Sequence, residues 1–483
     1  MPLRPATELI QFLAQVRRRG GEPRAHALNV TVTGNPFQSG FPRDFLATAD
    51  ASHEPRWQWG LASMRLWLKG IYFLLETLFI KSVLPSPSLE QGAVVLDTFC
   101  LVDQALSRGR LEDRYFPGAA EALHERGVQP LRLLRCLGLW RSPQKVFAFA
   151  KVVRSHTERV ICASSLLRWR DVPAFLSLLA RLPSLFRQFR LEGQSPDERL
   201  FNRALREDLA AYDCQNLLAY FAGRTLAGSR PRIVYSWSEY QPWERAFNFG
   251  LRSTGNIRVA ACQLFINYPD YFNTRVPVED LGLCAPTEVV VNGPHFLPSA
   301  GCVPHRVGPS LRYRHLFGPR PISGDGPLLV MGSIRVSRTR AMLQLAHATG
   351  RTFAFRPHPA TTDSSFADLL VDVPRASGDL PSLLARHPVV LTEGSGVAVE
   401  AVVLGGRVLL YLEEGEIGMN PLCDVGRGVS WEVVKDPPEV GICLAKLAGA
   451  TAKASQEAAD WYLTHYFAEP TPQRVRAFFA EGT

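Results

Sequence analysis

Lysine is scarce in this sequence: it supplies seven of the 54 basic residues, and arginine supplies the rest. That bias fits a GC-rich genome. No zinc-finger spacing, no nucleic-acid recognition module and no Gly-Lys-Ser/Thr phosphate loop goes with it, so the basic balance is not read as nucleic-acid binding. None of the nine cysteines forms a CxxC pair, and many sit in apolar runs such as VVLDTFC and RVICAS. A disulfide framework is thereby excluded and a metal site disfavoured; reduced core cysteines of a cytoplasmic protein are expected. The first residues lack the apolar core and cleavage site of a secretory signal. A spanning helix needs about 20 nearly uncharged residues. The most apolar stretch, Leu66 to Leu84, is broken by Lys69, Glu76 and Lys81. It reads as a long core helix, or else as an amphipathic surface that touches the inner membrane with help from neighbouring arginines. Short repeats and low-complexity tracts are absent as well.

What is present is ordinary globular composition, 46% apolar and 20% charged over 483 residues, enough for two domains with their own cores. The net charge of +9 is unevenly spread. From Asp325 onward there are 14 basic and 18 acidic residues; before it there are 40 and 27. The positive excess belongs to the first part of the chain, where it suits an acidic partner or an anionic surface.

Short apolar runs alternate with longer amphipathic ones. HALNVTVTG (26–34), AVVLDTF (93–99), RVICAS (159–164), RIVYSW (232–237), IRVAACQLF (257–265) and TEVVVNG (287–293) read as strands, and 301–324 reads as a linker. The pattern restarts with GPLLVMG (326–332), RTFAFRPHP (351–359), PVVLTEGSG (388–396) and RVLLYL (407–412), with helices between them and a helical tail from Pro437. Runs of this length separated by helices predict parallel sheets covered on both faces. The expected class is α/β: two doubly wound Rossmann-like domains, residues 1–324 and 325–483, facing a cleft.

Ligands of such sheets bind beyond the carboxyl ends of the strands. Three polar turns fall there in the second domain: Gly332-Ser333, Arg356-Pro357-His358-Pro359, and Thr392-Glu393-Gly394-Ser395-Gly396. Ser395 is placed to cap the helix opening near Val397, and Gly394 and Gly396 let backbone approach a ligand. Free amides at a helix N-terminus bind phosphate. GSG lacks the third spaced glycine of a dinucleotide fingerprint. His358, stiffened between two prolines with Arg356 beside it, suits the same phosphate.

RPHP at 356–359 and TEGSGVAVEAVVLGGRVLLY at 392–411 resemble the bacterial polysialyltransferases, capsule Kdo transferases and related CMP-sugar enzymes. Their paired serines stand here as Gly394-Ser395. A second resemblance, to a bacterial family of surface carbohydrate biosynthesis proteins, rests on YSWSEYQPWERAFNFGLR (235–252), VGPSLRY (307–313), NPL (420–422), LDTFCLVDQAL and DRYF. Together they imply the two-domain architecture called glycosyltransferase-B. They also imply an inverting, metal-independent transferase of surface polysaccharide (capsule or O-antigen) that needs no cofactor beyond its nucleotide-sugar donor. CMP-linked acids of the nonulosonic or Kdo type are favoured, and the acceptor is a glycan or lipid-linked glycan. The resemblance places His358 and Ser395 at the donor phosphate, with Ser333, Arg356, Gly394 and Gly396 around it, and Glu400 within reach of a ribose.

An inverting transferase needs a base on the acceptor side. Glu239 falls just past RIVYSW, and Glu244 about one turn into the next helix; Asp97, at the end of VVLD, is a third candidate. Trp237, Tyr240 and Trp243 offer a sugar-stacking face, and Arg312 a cation toward the cleft. No acidic DxD set stands at a strand end, so no metal is expected. Two other readings stay open: a polyol-phosphate transferase using a CDP-alcohol, and a non-catalytic polysaccharide assembly protein.

Overall fold

The computed structural model describes residues 3–48, 57–86, 88–139, 142–268, 274–320, 326–358, 361, 363–412 and 420–480. Pro359 of RPHP and the boundary expected at 324/325 lie outside them.

Two wholly parallel sheets form the molecule. The first contains β1 (Val94–Leu101), β2 (Leu131–Leu137), β3 (Arg159–Cys162), β4 (Ile233–Trp237), β5 (Arg258–Gln263), β6 (Glu288–Val291) and β7 (His305–Val307). Their order is β3-β2-β1-β4-β5-β6-β7, the Rossmann order with one strand added, and the direction of winding reverses between β1 and β4. The second contains β8 (Leu328–Met331), β9 (Phe353–Arg356), β10 (Val389–Glu393), β11 (Arg407–Tyr411) and β12 (Trp431–Val434), ordered β12-β11-β10-β8-β9. Its winding reverses between β8 and β10. Strands such as IVYSW are buried along their whole length, because helices cover both faces and neither side meets water. The expected α/β class with two doubly wound domains is what the chain forms.

Four local expectations change. HALNVTVTG is not a strand. Pro23 starts a helix, Pro23–Leu28, and the Asn29 side chain then accepts the amides of Thr31 and Val32 to close a 3-10 turn. A local side-chain bond of this kind competes with sheet pairing. The 301–324 stretch is not merely a linker, since it supplies β7 and a 3-10 segment, Leu311–Phe317. LRLLRCL, an unforeseen strand, is β2. The helix Trp57–Val83 buries only one face, taking in Leu66, Gly70, Leu74 and Ile80.

The last described helix packs on the first domain. The helix Pro472–Ala480 places Val475, Phe478 and Phe479 in one apolar cluster with Val94, Ile233 and Tyr235. The Tyr235 ring lies 5.4 and 5.0 Å from Phe478 and Phe479. Aromatic pairs of this geometry contribute about 0.5–1.5 kcal/mol beyond the area they bury. The 325–483 unit therefore lends its last helix to its neighbour.

One close packing positions the turn that carries Glu239. Helices Gln215–Ala227 and Pro242–Leu251 touch backbone to backbone at Gly223 and Gly250. A Cβ on Gly250 would stand 2.2 Å from the Tyr220 carbonyl oxygen, and one on Gly223 2.2 Å from that of Phe247. Only glycine allows this approach, which seats the 242–251 helix and the turn before it.

Candidate functional site

The carboxyl ends of the two sheets meet around a cavity of about 520 Å³. That size is normal for a small-molecule site. The second domain contributes Gly332, Ser333, His358, Gly394, Ser395, Gly396 and Glu400 to its lining; the first contributes Glu239, Gln241, Ile266, Tyr268 and Arg312.

The second-domain turns emerge side by side because β8 pairs with both β9 and β10, setting Met331 opposite Arg356 and Thr392. Ser395 has extended backbone, and its Oγ accepts the Val397 amide at 3.4 Å, so it caps the helix Gly396–Val403. The Tyr268 hydroxyl of the first domain meets the Gly396 amide across the cleft. Gly332 lets two turns touch: its amide donates to the Arg356 carbonyl at 2.8 Å, and a Cβ there would lie 2.9 Å from the His358 nitrogen. Burial pushes the His358 imidazole below its usual value, favouring the neutral ring. A phosphate arriving there would reverse that preference.

Other sequence candidates stand differently. Ser333 is engaged in its own turn: its Oγ donates to the Glu393 carboxylate and accepts the Arg335 amide at 3.0 Å. Arg356 ends β9 half-buried and does not line the cavity. Glu400 does line it, but one of its oxygens lies 2.9 Å from His315 Nε2.

The three acceptor-side carboxylates separate sharply. Asp97 is buried and saturated, accepting Arg135 Nε and Nη2 at 2.8 and 2.9 Å and Ser236 Oγ at 2.7 Å. It holds adjacent strands together and is closed off from a substrate. Glu244 is buried too. It accepts the Ser238 hydroxyl and the amides of Glu239 and Tyr240 at 3.0 and 2.9 Å, tying the 238–240 turn to the helix behind it. Desolvation pushes its carboxyl up to about 8, against the pull of those hydrogen bonds. Only Glu239 faces the cavity, with Gln241 Nε2 donating to it at 3.1 Å.

The folded state thus holds the Glu244 proton more tightly than an unfolded chain would. Its contribution to stability is whole below the ordinary value of 4.5 and is lost as pH rises toward about 8. Glu244→Gln is expected to flatten the fall of Tm with pH across that window. Asp208, which burial raises to about 7, contributes to the slope that remains. A slope unchanged in the variant would contradict this.

The expected aromatic sugar face does not exist. Trp237 and Tyr240 are buried, and Trp243 covers Arg135, whose guanidinium sits 3.8 Å from the ring centroid. Arg312 of the first domain does reach the cleft, as does Arg335 of the second. Arg312 lies 5.8 Å from the rings of Tyr115, Trp237 and Tyr313 and makes no ion pair among the described residues. Desolvation opposes its charge, but Tyr313, Glu400, Tyr115 and Glu239 outweigh that and hold the guanidinium above the usual arginine value. Tyr268 and Ile266 follow β5 and carried no sequence signal, because their approach to Gly396 comes from the docking of two domains.

The sequence matches no protein-family model and no curated protein. The fold is similar to that of Acinetobacter baumannii MurG at 12% identity, covering 80% of this chain and 99% of that one with a TM-score of 0.43. It is similar to the glycosyltransferase SnogD from Streptomyces nogalater at 13% identity, covering 81% and 100% with a TM-score of 0.43. It is also similar to UDP-GlcNAc 2-epimerase from Neisseria meningitidis bound to UDP-GlcNAc, at 12% identity, covering 80% and 99% with a TM-score of 0.40. At such identities function has to be argued from the site's own residues.

Proposed function

We propose that the chain is a glycosyltransferase that moves a sugar from a nucleotide donor to a hydroxyl of a glycan acceptor. The observation that carries the reading is the cleft itself. A capped helix N-terminus with His358 beside it stands on one wall, and an accessible carboxylate, Glu239, stands on the other.

In this reading the donor phosphate lies at the N-terminus of the Gly396–Val403 helix, taking the Gly396 amide from the Tyr268 hydroxyl, where the helix end favours negative charge. Glu239 takes the proton from the acceptor hydroxyl. The acceptor oxygen then forms the new bond to the anomeric carbon from the face opposite the phosphate. The anomeric carbon–oxygen bond breaks, and its electron pair leaves on the nucleotide phosphate. The helix amides stabilise that charge and His358 supplies a proton to it. Attack from the opposite face inverts the anomeric centre. Charge on the phosphate is met by helix amides and imidazole, so the step is written without a metal.

The donor we favour is a CMP-linked acidic sugar of the nonulosonic or Kdo type. Such a donor has a single phosphate, matching one helix end, and a carboxylate that Arg312 can meet across the cleft. The product would be a surface polysaccharide such as capsule or O-antigen.

CMP is expected to raise the Tm more than CDP, UDP or GDP do. In calorimetry, Ser395→Ala and His358→Ala are each expected to weaken CMP by about tenfold, the size of a charge-assisted hydrogen bond. Affinity should rise as pH falls, as the imidazole gains its proton, and that rise should vanish in His358→Ala. If all four nucleotides leave Tm unchanged, or if both variants bind as the parent does, the donor site is misplaced. Release of CMP from a panel of CMP-sugars then separates sugar transfer from alcohol-phosphate transfer.

A further inference from the structure

The helix Trp57–Val83 is apolar on two opposite faces. One is packed in the core. On the other, Met64, Leu68, Ile71, Leu75 and Phe79 recur every three or four residues and, like Trp57 two turns before Met64, are exposed. Trp67 and Tyr72 stand exposed beside this stripe. Of the twenty large apolar side chains exposed among the described residues, these eight belong to one helix, so the exposure is a continuous strip and not scattered surface. Its 27 residues run about 40 Å. Phe147, on the helix Pro143–Arg154, meets Phe79 edge-on at 5.9 Å and widens the strip. Between the two helices lies a hollow of about 260 Å³ lined by Leu75, Phe79, Leu139, Pro143 and Val146 among others.

The charges on these two helices are basic with one exception. Arg65 on the long helix is exposed, and so are Lys151 and Arg154, which share a face with Phe147 at i+4 and i+7. Glu76 is the long helix's single acid, and Tyr72 donates a hydrogen bond to it. No described helix is long and apolar enough to cross a membrane.

We propose that this strip docks the protein onto the surface of an anionic lipid membrane. The helix lies in the plane of the interface, with its leucines and Phe79 among the acyl chains and Trp57, Trp67 and Tyr72 at headgroup level. Arg65, Lys151 and Arg154 meet lipid phosphates. A second copy of the chain is the poorer occupant, because a two-fold contact would set this same basic rim against itself.

Flotation with phosphatidylcholine vesicles, with and without about 30 mol% phosphatidylglycerol, tests the proposal. The protein is expected to float with the anionic vesicles and to lose at least about tenfold in binding in Leu68→Glu/Leu75→Glu. Those side chains are 64% and 62% exposed, so the substitutions should leave the Tm unchanged. Arg65→Glu/Lys151→Glu should weaken binding and remove its salt dependence. Parent protein that stays unbound on anionic vesicles overturns the proposal, and so does equal binding by the leucine variant. A dimer that ignores vesicles and falls apart in the leucine variant would show a second copy to be the occupant. The readout needs no donor, so failure here leaves the transferase reading intact.

Discussion

Glu239→Gln is expected to lower sugar-transfer turnover by about 10²- to 10⁴-fold, the usual contribution of a positioned general base. Glutamine keeps the size of the side chain and can still hydrogen bond with Gln241, but it cannot take the acceptor's proton. Gln241 is itself anchored by Asn35 Nδ2, and the Glu239 amide donates to Glu244, so the turn has two restraints besides the carboxylate. The donor cradle stands on the other domain. CMP affinity by calorimetry should therefore be unchanged while product formation collapses, a loss in kcat at constant donor binding. Turnover within a few-fold of the parent would show that the proton goes elsewhere. Asp97 and Glu244 are poor substitutes, since both are buried with their oxygens already engaged.

Asp280→Asn is expected to destabilise the fold by about 3–5 kcal/mol, the cost of leaving a buried charge without its partner. The Asp280 carboxylate is buried and accepts four hydrogen bonds: Arg245 Nε and Nη2 at 2.8 Å each, His26 Nε2 at 2.7 Å and the Tyr240 hydroxyl at 2.5 Å. Desolvation alone would raise its pKa; Arg245 and then His26 outweigh that and hold it well below the usual carboxylate range. Asparagine offers one acceptor oxygen and points an N–H₂ at a donor, so Arg245 is left charged in the interior. Denaturant unfolding measures the loss, and a change under about 1 kcal/mol would refute it. The network matters to the site because it fixes three segments at once. His26 lies on the 23–28 helix, Tyr240 on the turn that carries Glu239, and Arg245 on the helix that carries Glu244. Tyr240 sits at φ 54°, a conformation costly for a non-glycine residue. Its hydrogen bond to Asp280 is part of what holds it there.

The second-domain wall of the cleft was legible in the sequence because it is built from local features. LLVM, FAF and VVL each mark a strand, and each is followed at once by the polar turn that the strand delivers to the sheet edge. Parallel strands must all end on the same edge, so three separate motifs converge with no further information. Ser395 capping its helix is likewise a matter of adjacent residues. The acceptor side was not legible in the same way. Asp97, Glu239 and Glu244 all belong at or near strand ends, and their spacing does not separate them.

By itself, then, the sequence determined the two parallel sheets and the edge on which ligands bind, because apolar runs of strand length and the turn chemistry after them act over a few residues. The tertiary structure decided which carboxylate is open to the cleft. It also decided that Trp237 and Trp243 serve the core, that the 472–480 helix returns to the first domain, and that the 57–83 helix has an apolar face left exposed among the described residues. Each of those depends on what arrives from elsewhere in the chain: Asp280 under Tyr240, Arg135 under Trp243, Tyr235 against Phe478. An apolar run looks the same in sequence whether or not a partner covers it.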